Sequence, residues 1–171
     1  QAFDTGSLVA NIAASKDTVK REKIRGRFQS NGNFNLPDNY QLHYDFTLIS
    51  DDNYISDYDY PTVDRIASTI NINKTQKRQH EEANLVYYHS LWEDFGGRPT
   101  IINFNQYDRY INVLNLDGDF KLSAILHNNF RSSQIDVFGR DVRRINTSLG
   151  WSNIYDANQG IRFELGSQVR F

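Results

Sequence analysis

The sequence predicts an all-β chain, an antiparallel meander of about eight or nine strands forming a curved wall. Apolar and polar residues alternate with period two in stretches from Leu8 to Phe171, which places successive side chains on opposite faces of a strand. Turn signals separate these stretches, among them Leu36-Pro37-Asp38-Asn39 and Asp117-Gly118. No stretch of useful length carries a helical period, and no run of 18 apolar residues exists, which excludes a transmembrane helix.

The elements follow in chain order. Leu8 to Ala14 is a short apolar run, read as a strand, and Ser15 to Glu22 is a charged connection. Lys23 to Phe34 alternates, with Ile24, Gly26, Phe28, Ser30, Gly32 and Phe34 on one side and Arg25, Arg27, Gln29 and Asn31 on the other. The Leu36 turn delivers the chain into the clearest strand. There Tyr40, Leu42, Tyr44, Phe46 and Leu48 point one way, against Gln41, His43, Asp45 and Thr47. Asp51 to Tyr60 is a loop rich in Asp and Tyr. Asp64 to Asn73 and Gln79 to Leu91 form a hairpin around a polar tip with Lys74, Lys77 and Arg78. A loop over 92–99 precedes Thr100 to Tyr110, a strand of mixed faces. Asp117-Gly118 suits a tight hairpin, since both positions of a type I′ turn need positive φ. Phe120 to Phe130, a loop over 132–139, Arg143 to Trp151, a turn over 153–160, and Gly160 to Phe171 complete a single unit, residues 1–171.

Composition removes several function classes. The net charge is -2 and the pI about 6.1, so no basic surface points to nucleic acid. Cysteine is absent, which excludes disulfides, thiolate metal sites and a cysteine nucleophile. Methionine is absent even at position 1, so Gln1 is expected to begin a processed protein or an excerpt.

The same alternation fits two environments. In a soluble, lipocalin-like lipid-binding barrel the apolar side faces inward; in a membrane barrel it faces lipid. Several stretches approach the ten residues that span a bilayer when tilted, and aromatic residues recur near their ends. Both features favour lipid, with Leu42, Tyr44, Phe46, Leu48, Ile161, Phe163 and Leu165 as the membrane-facing residues. A complete small outer-membrane barrel would then need its first and last strands to pair.

Catalytic and metal chemistry finds little support. Asp51, Asp52, Asp57 and Asp59 lack the spacing and glycine of a calcium loop and read as a solvated loop. His43, His80, His89 and His127 form no ligand spacing, so no metal and no cofactor are expected. His89-Ser90, or Ser123 with His127, could be pressed into a lipid hydrolase, but neighbouring residues face opposite sides and no oxyanion element is visible; no enzyme is expected.

The stretch GRFQSNGNFNLPDNYQLHYDFTLISDDNYISDYDY, followed by Asp64-Arg65, resembles the LPS-assembly protein LptD family, especially its alphaproteobacterial branch. Gly32, Phe34, Leu36, Asn39, Asp45, Ser50, Asp51, Asp52, Tyr54, Tyr58 and Asp64 fit a family phrase, with Tyr40 where the family often has Trp. Arg143-Arg144-Ile145 through Gly150-Trp151, then Gly160 and Phe163-Glu164-Leu165, fit a later phrase. The resemblance implies a segment of an outer-membrane β-barrel that inserts lipopolysaccharide (LPS) into the outer leaflet. It also implies partners: LPS and outer-membrane lipid, a lipoprotein plug of the LptE type, and a periplasmic LptA-like bridge. The remaining barrel would lie outside this chain, so the expectation is an open sheet whose terminal strands do not pair.

Overall fold

Nine strands follow one another, each pairing antiparallel with the next: β1 (Thr5–Lys16), β2 (Ile24–Asn35), β3 (Gln41–Ile49), β4 (Arg65–Gln76), β5 (Gln79–Ser90), β6 (Ile101–Ile111), β7 (Asp119–Phe130), β8 (Val142–Ala157) and β9 (Ile161–Arg170). The computed structural model describes residues 5–16, 24–58, 60, 63–91, 98–113, 117–131, 141–157 and 160–171. The sheet order equals the chain order, and β1 and β9 sit at its two margins without pairing to each other. The sheet is therefore open, as expected. A complete small barrel and a closed lipocalin-like barrel both require the missing ladder between these strands.

Several boundaries differ from expectation. β1 runs twelve residues rather than Leu8 to Ala14, because its polar ends Thr5 and Lys16 continue the ladder to Asn35 and Ile24. β1, at twelve residues, is thus no shorter than β9, at ten. β8 reaches Ala157, past the expected turn over 153–160, because Asn153, Tyr155 and Ala157 pair with Leu165, Phe163 and Ile161. Asp117-Gly118 is not a two-residue hairpin: β6 ends at Ile111 and β7 begins at Asp119. Gly118 alone of that pair has positive φ, at 108°, and a Cβ there would lie 2.6 Å from the Ser152 carbonyl oxygen. The expected loops over 17–22, 92–97 and 132–139, and Asp59, lie outside the described residues.

The Leu36 turn forms a short 3₁₀ segment, Pro37–Asn39. Asp38 and Asn39 take φ of 61° and 64°, the left-handed region that short polar side chains tolerate best. The Leu36 amide donates to the Tyr40 carbonyl at 2.8 Å and closes the turn.

One seam differs from the others. β3 pairs with β4 over five residue pairs only, from Gln41↔Asn73 to Asp45↔Thr69. Its ladder with β2 has nine, and that between β4 and β5 has twelve. Beyond Asp45 the strands part, and the Thr47 amide donates to Ser68 Oγ at 3.3 Å. The connection after β3 contains a single helical turn, α1 (Tyr54–Asp57), and folds into this gap. Tyr54 and Ile55 are buried there against Ile66, with Ile49, Tyr60 and Leu91 packed around them. Among the described residues these three are the only buried hydrophobic side chains.

Candidate functional site

Antiparallel partners share a face, so the strand registers assign every strand residue to one side of the sheet. One face carries Leu8 and Ile12 of β1, Phe28 and Phe34 of β2, Leu42 to Leu48 at alternate positions of β3, Ile70 and Ile72 of β4, and Leu85 and Tyr87 of β5. It continues through Leu122 and Leu126 of β7, Ile145 and Leu149 of β8, and Ile161, Phe163, Leu165 and Val169 of β9. All seven residues expected to face a membrane lie on this apolar side. Sixteen of the nineteen exposed large apolar side chains on strands point this way, the exceptions being Val9, Tyr110 and Ile154. Leu48 is 60% exposed and Phe163 55%. Among the described residues this apolar surface is interrupted at β6 by Asn103 and Asn105, and apart from the small cluster on Ile66 no second layer of the chain covers it.

Local packing explains part of this face. Gly32 lies opposite Tyr44, and a Cβ on it would come within 2.7 Å of the Tyr44 ring. The bare backbone leaves room for Phe34 and Tyr44 to stack at 6.2 Å between centroids, and Tyr44 stacks in turn on Phe46 at 5.1 Å.

The opposite face is polar. Between β6 and β9 it holds a hollow of about 440 Å³ lined in part by Gln106, Asp108, Lys121, Ser123, Asn146 and Arg170. Asp108 is buried and accepts hydrogen bonds from Ser123 Oγ at 2.5 Å and Gln106 Nε2 at 2.9 Å, with Lys121 Nζ 3.1 Å away. Ser123 is therefore committed to Asp108, while His127 meets Phe104 edge-on at 6.5 Å; Ser123 and His127 do not bond each other. His89 pairs with Asp52 at 2.8 Å, not with its neighbour Ser90.

The acidic loop corrects the sequence reading. Asp51 and Asp57 are not simply solvated: Arg25 Nε and Nη2 bond Asp51 Oδ2 and Oδ1 at 2.8 and 2.6 Å, and Nη1 reaches Asp57 Oδ2 at 2.8 Å. The buried guanidinium holds the Asp51 carboxyl below the usual carboxylate range. Arg25 also lies 5.8 and 5.6 Å from the Tyr54 and Tyr58 ring centres, and Arg27 covers Tyr60 at 4.7 Å. This latch fastens the loop over the parted β3–β4 seam. At the same end of the sheet, Arg98 bonds Asp64, which lowers the Asp64 carboxyl.

β6 departs from the pattern of its neighbours. Ile102 and Phe104 turn to the polar face, while Asn103 and Asn105 lie on the apolar one, paired with Leu85 and Ala83. Asn105 Nδ2 and Asn128 Nδ2 both donate to Asn103 Oδ1, at 2.7 and 3.2 Å, and Asn103 Nδ2 reaches the Asn84 carbonyl at 3.3 Å. The mixed faces of this strand were legible in the sequence; the amide network required the β6–β7 register.

A single antiparallel meander, apolar on one side and polar on the other with both margins open, defines a wall of the transmembrane β-barrel type. The family model LptD, LPS transport system D, matches residues 23–169, and the chain belongs to this family. Its general role is in LPS transport. No curated protein and no solved structure matches the chain.

Proposed function

We propose that this sheet is a sector of an outer-membrane β-barrel that inserts LPS into the outer leaflet. The observation that carries the reading is the exposed apolar face that β1 to β5 and β7 to β9 share. A bilayer would cover that face, with Leu42, Tyr44, Phe46, Leu48, Ile161, Phe163 and Leu165 in contact with lipid. Open margins are not tolerated in lipid, so β1 and β9 would pair with further strands of the same barrel. The connections 50–64, 91–100 and 131–141 at one end outlast 36–40, 77–78 and 158–160 at the other. Barrels of this class place longer loops outside and short turns in the periplasm, so the latch end faces outward. The polar face then lines the lumen, where an LptE-like lipoprotein plug would sit, with an LptA-like bridge delivering LPS from the periplasm. Depletion of the full-length protein should leave LPS in the inner membrane and periplasm; normal surface LPS after depletion would reject the proposal.

A further inference from the structure

Polar groups on a lipid-facing surface are costly and are retained where they do something. Asn103, Asn128 and Arg143 are consecutive partners across β6, β7 and β8, on the apolar face. Asn105 lies one position further along that face and joins them through Asn103. The row is close to the long-loop end: Asn103 stands two residues after Ile101, the first of β6, and Arg143 one residue after Val142, the first of β8. Two residues of strand measure roughly 7 Å, less along the membrane normal once tilted, which is headgroup depth.

The chemistry of the row is specific. A primary amide offers two donors and a carbonyl acceptor. Asn105 and Asn128 each make one side-chain hydrogen bond among the described residues, through Nδ2, which leaves one N–H and the carbonyl oxygen of each amide to bond something else. Arg143 lies over the Phe130 ring at 5.5 Å and forms no ion pair among the described residues. A planar cation held on an aromatic ring beside vacant amides suits an anionic oxygen group with hydroxyls next to it. Leu126 and Ile145 continue directly below, where acyl chains would lie.

We propose that Asn103, Asn105, Asn128 and Arg143 bind the phosphorylated sugar headgroup of an outer-leaflet glycolipid, LPS in a protein of this family, on the outside of the barrel wall. This rests on the lipid-facing reading above. The site would hold LPS beside the wall after its insertion.

The test uses the full-length protein in phosphatidylcholine nanodiscs, titrated with diphosphoryl lipid A. The variants are Arg143→Gln and a triple Asn103→Leu, Asn105→Leu, Asn128→Leu, whose apolar side chains suit a lipid face. Retained heat-modifiable electrophoretic mobility shows that each has folded. We expect the triple variant to bind about tenfold more weakly, and Arg143→Gln to lose the preference for diphosphoryl over monophosphoryl lipid A. Affinities equal to wild type in both variants would overturn the proposal. So would unchanged lipid A binding with loss of a co-purifying protein, which would make the row a protein interface. Normal surface LPS on depletion would defeat the transport reading while leaving these affinities as they are, so the two failures are distinct.

Discussion

Replacing Phe46 with arginine tests the environment of the apolar face most directly. Phe46 pairs with Ser30, near the middle of the twelve-residue β2, so it lies at mid-wall. Its ring stacks on Tyr44 at 5.1 Å. Phe46→Ala removes that contact and the apolar transfer of a half-covered ring, about 1–2 kcal/mol together. In lipid, Phe46→Arg should cost a further 2–4 kcal/mol or about that, the value for a cation at the bilayer midplane. Asn31 supplies the control. It follows Ser30 in the same strand, points to the polar face, and pairs with Asp45. Asn31→Arg places the same charge opposite a carboxylate in a wet environment and should change stability by under about 0.5 kcal/mol. Denaturant titration of the protein refolded in phospholipid vesicles reads all three. Phe46→Arg no worse than Phe46→Ala, or Asn31→Arg equally damaging, would show that lipid does not cover this face.

Three further outcomes follow from the loops. Asp51 has a depressed carboxyl pKa in the folded protein, so its contribution to the latch is fully present above the ordinary aspartate value of about 3.9 and is lost as pH falls through that value to the lower folded one. Hydrogen exchange over 50–58 should rise across that acidic window in the wild type, and Asp51→Asn should show the fast exchange already at pH 7. Tyr54→Ala removes the most buried ring of the small core, at 2% exposure, and should weaken the latch by about 3 kcal/mol, read as faster exchange at residues 46–49 with the amides of 41–45 unchanged. Asn39→Val forces a β-branched residue to φ of 64° and should cost about 1–2 kcal/mol in the unfolding midpoint, whereas Asn39→Gly should be neutral or nearly so.

Alternation made the wall legible from the sequence because side-chain direction in a strand depends only on parity. What parity cannot reveal is which strand lies opposite which residue. The turn expected after Trp151 contains Asn153, Asp156 and Gly160, all turn-favouring types, yet the ladder to β9 holds Asn153 and Asp156 in extended backbone. The latch was missed because Arg25 lies 26 residues before Asp51. A clue was nonetheless present. Arg27 pairs with Ile49, so one further step of the same face brings Arg25 opposite Asp51. An acidic loop following a strand whose antiparallel neighbour carries arginine at that step reads as an ion pair rather than as solvated charge.

A domain normally buries the apolar face of a sheet against a second layer. Here only Tyr54, Ile55 and Ile66 form a buried apolar cluster among the described residues, and it stands at the one seam where the backbone ladder stops after five pairs. The coincidence has a physical reason. Where strands pair fully, each backbone amide and carbonyl is satisfied by its neighbour, and the wall needs no local core. Where β3 and β4 part, residues 46–49 and 65–68 lose those partners, and an unpaired backbone group away from water is expensive. The loop closes the gap with what it carries. Ser68 of β4 takes up the Thr47 amide across the gap, and the loop's two buried side chains, Tyr54 and Ile55, fill the space beside Ile66. Arg25 then fixes the loop in place through both carboxylates. The wall is thus held by ladder hydrogen bonds along most of its width, and by a side-chain core only where the ladder fails.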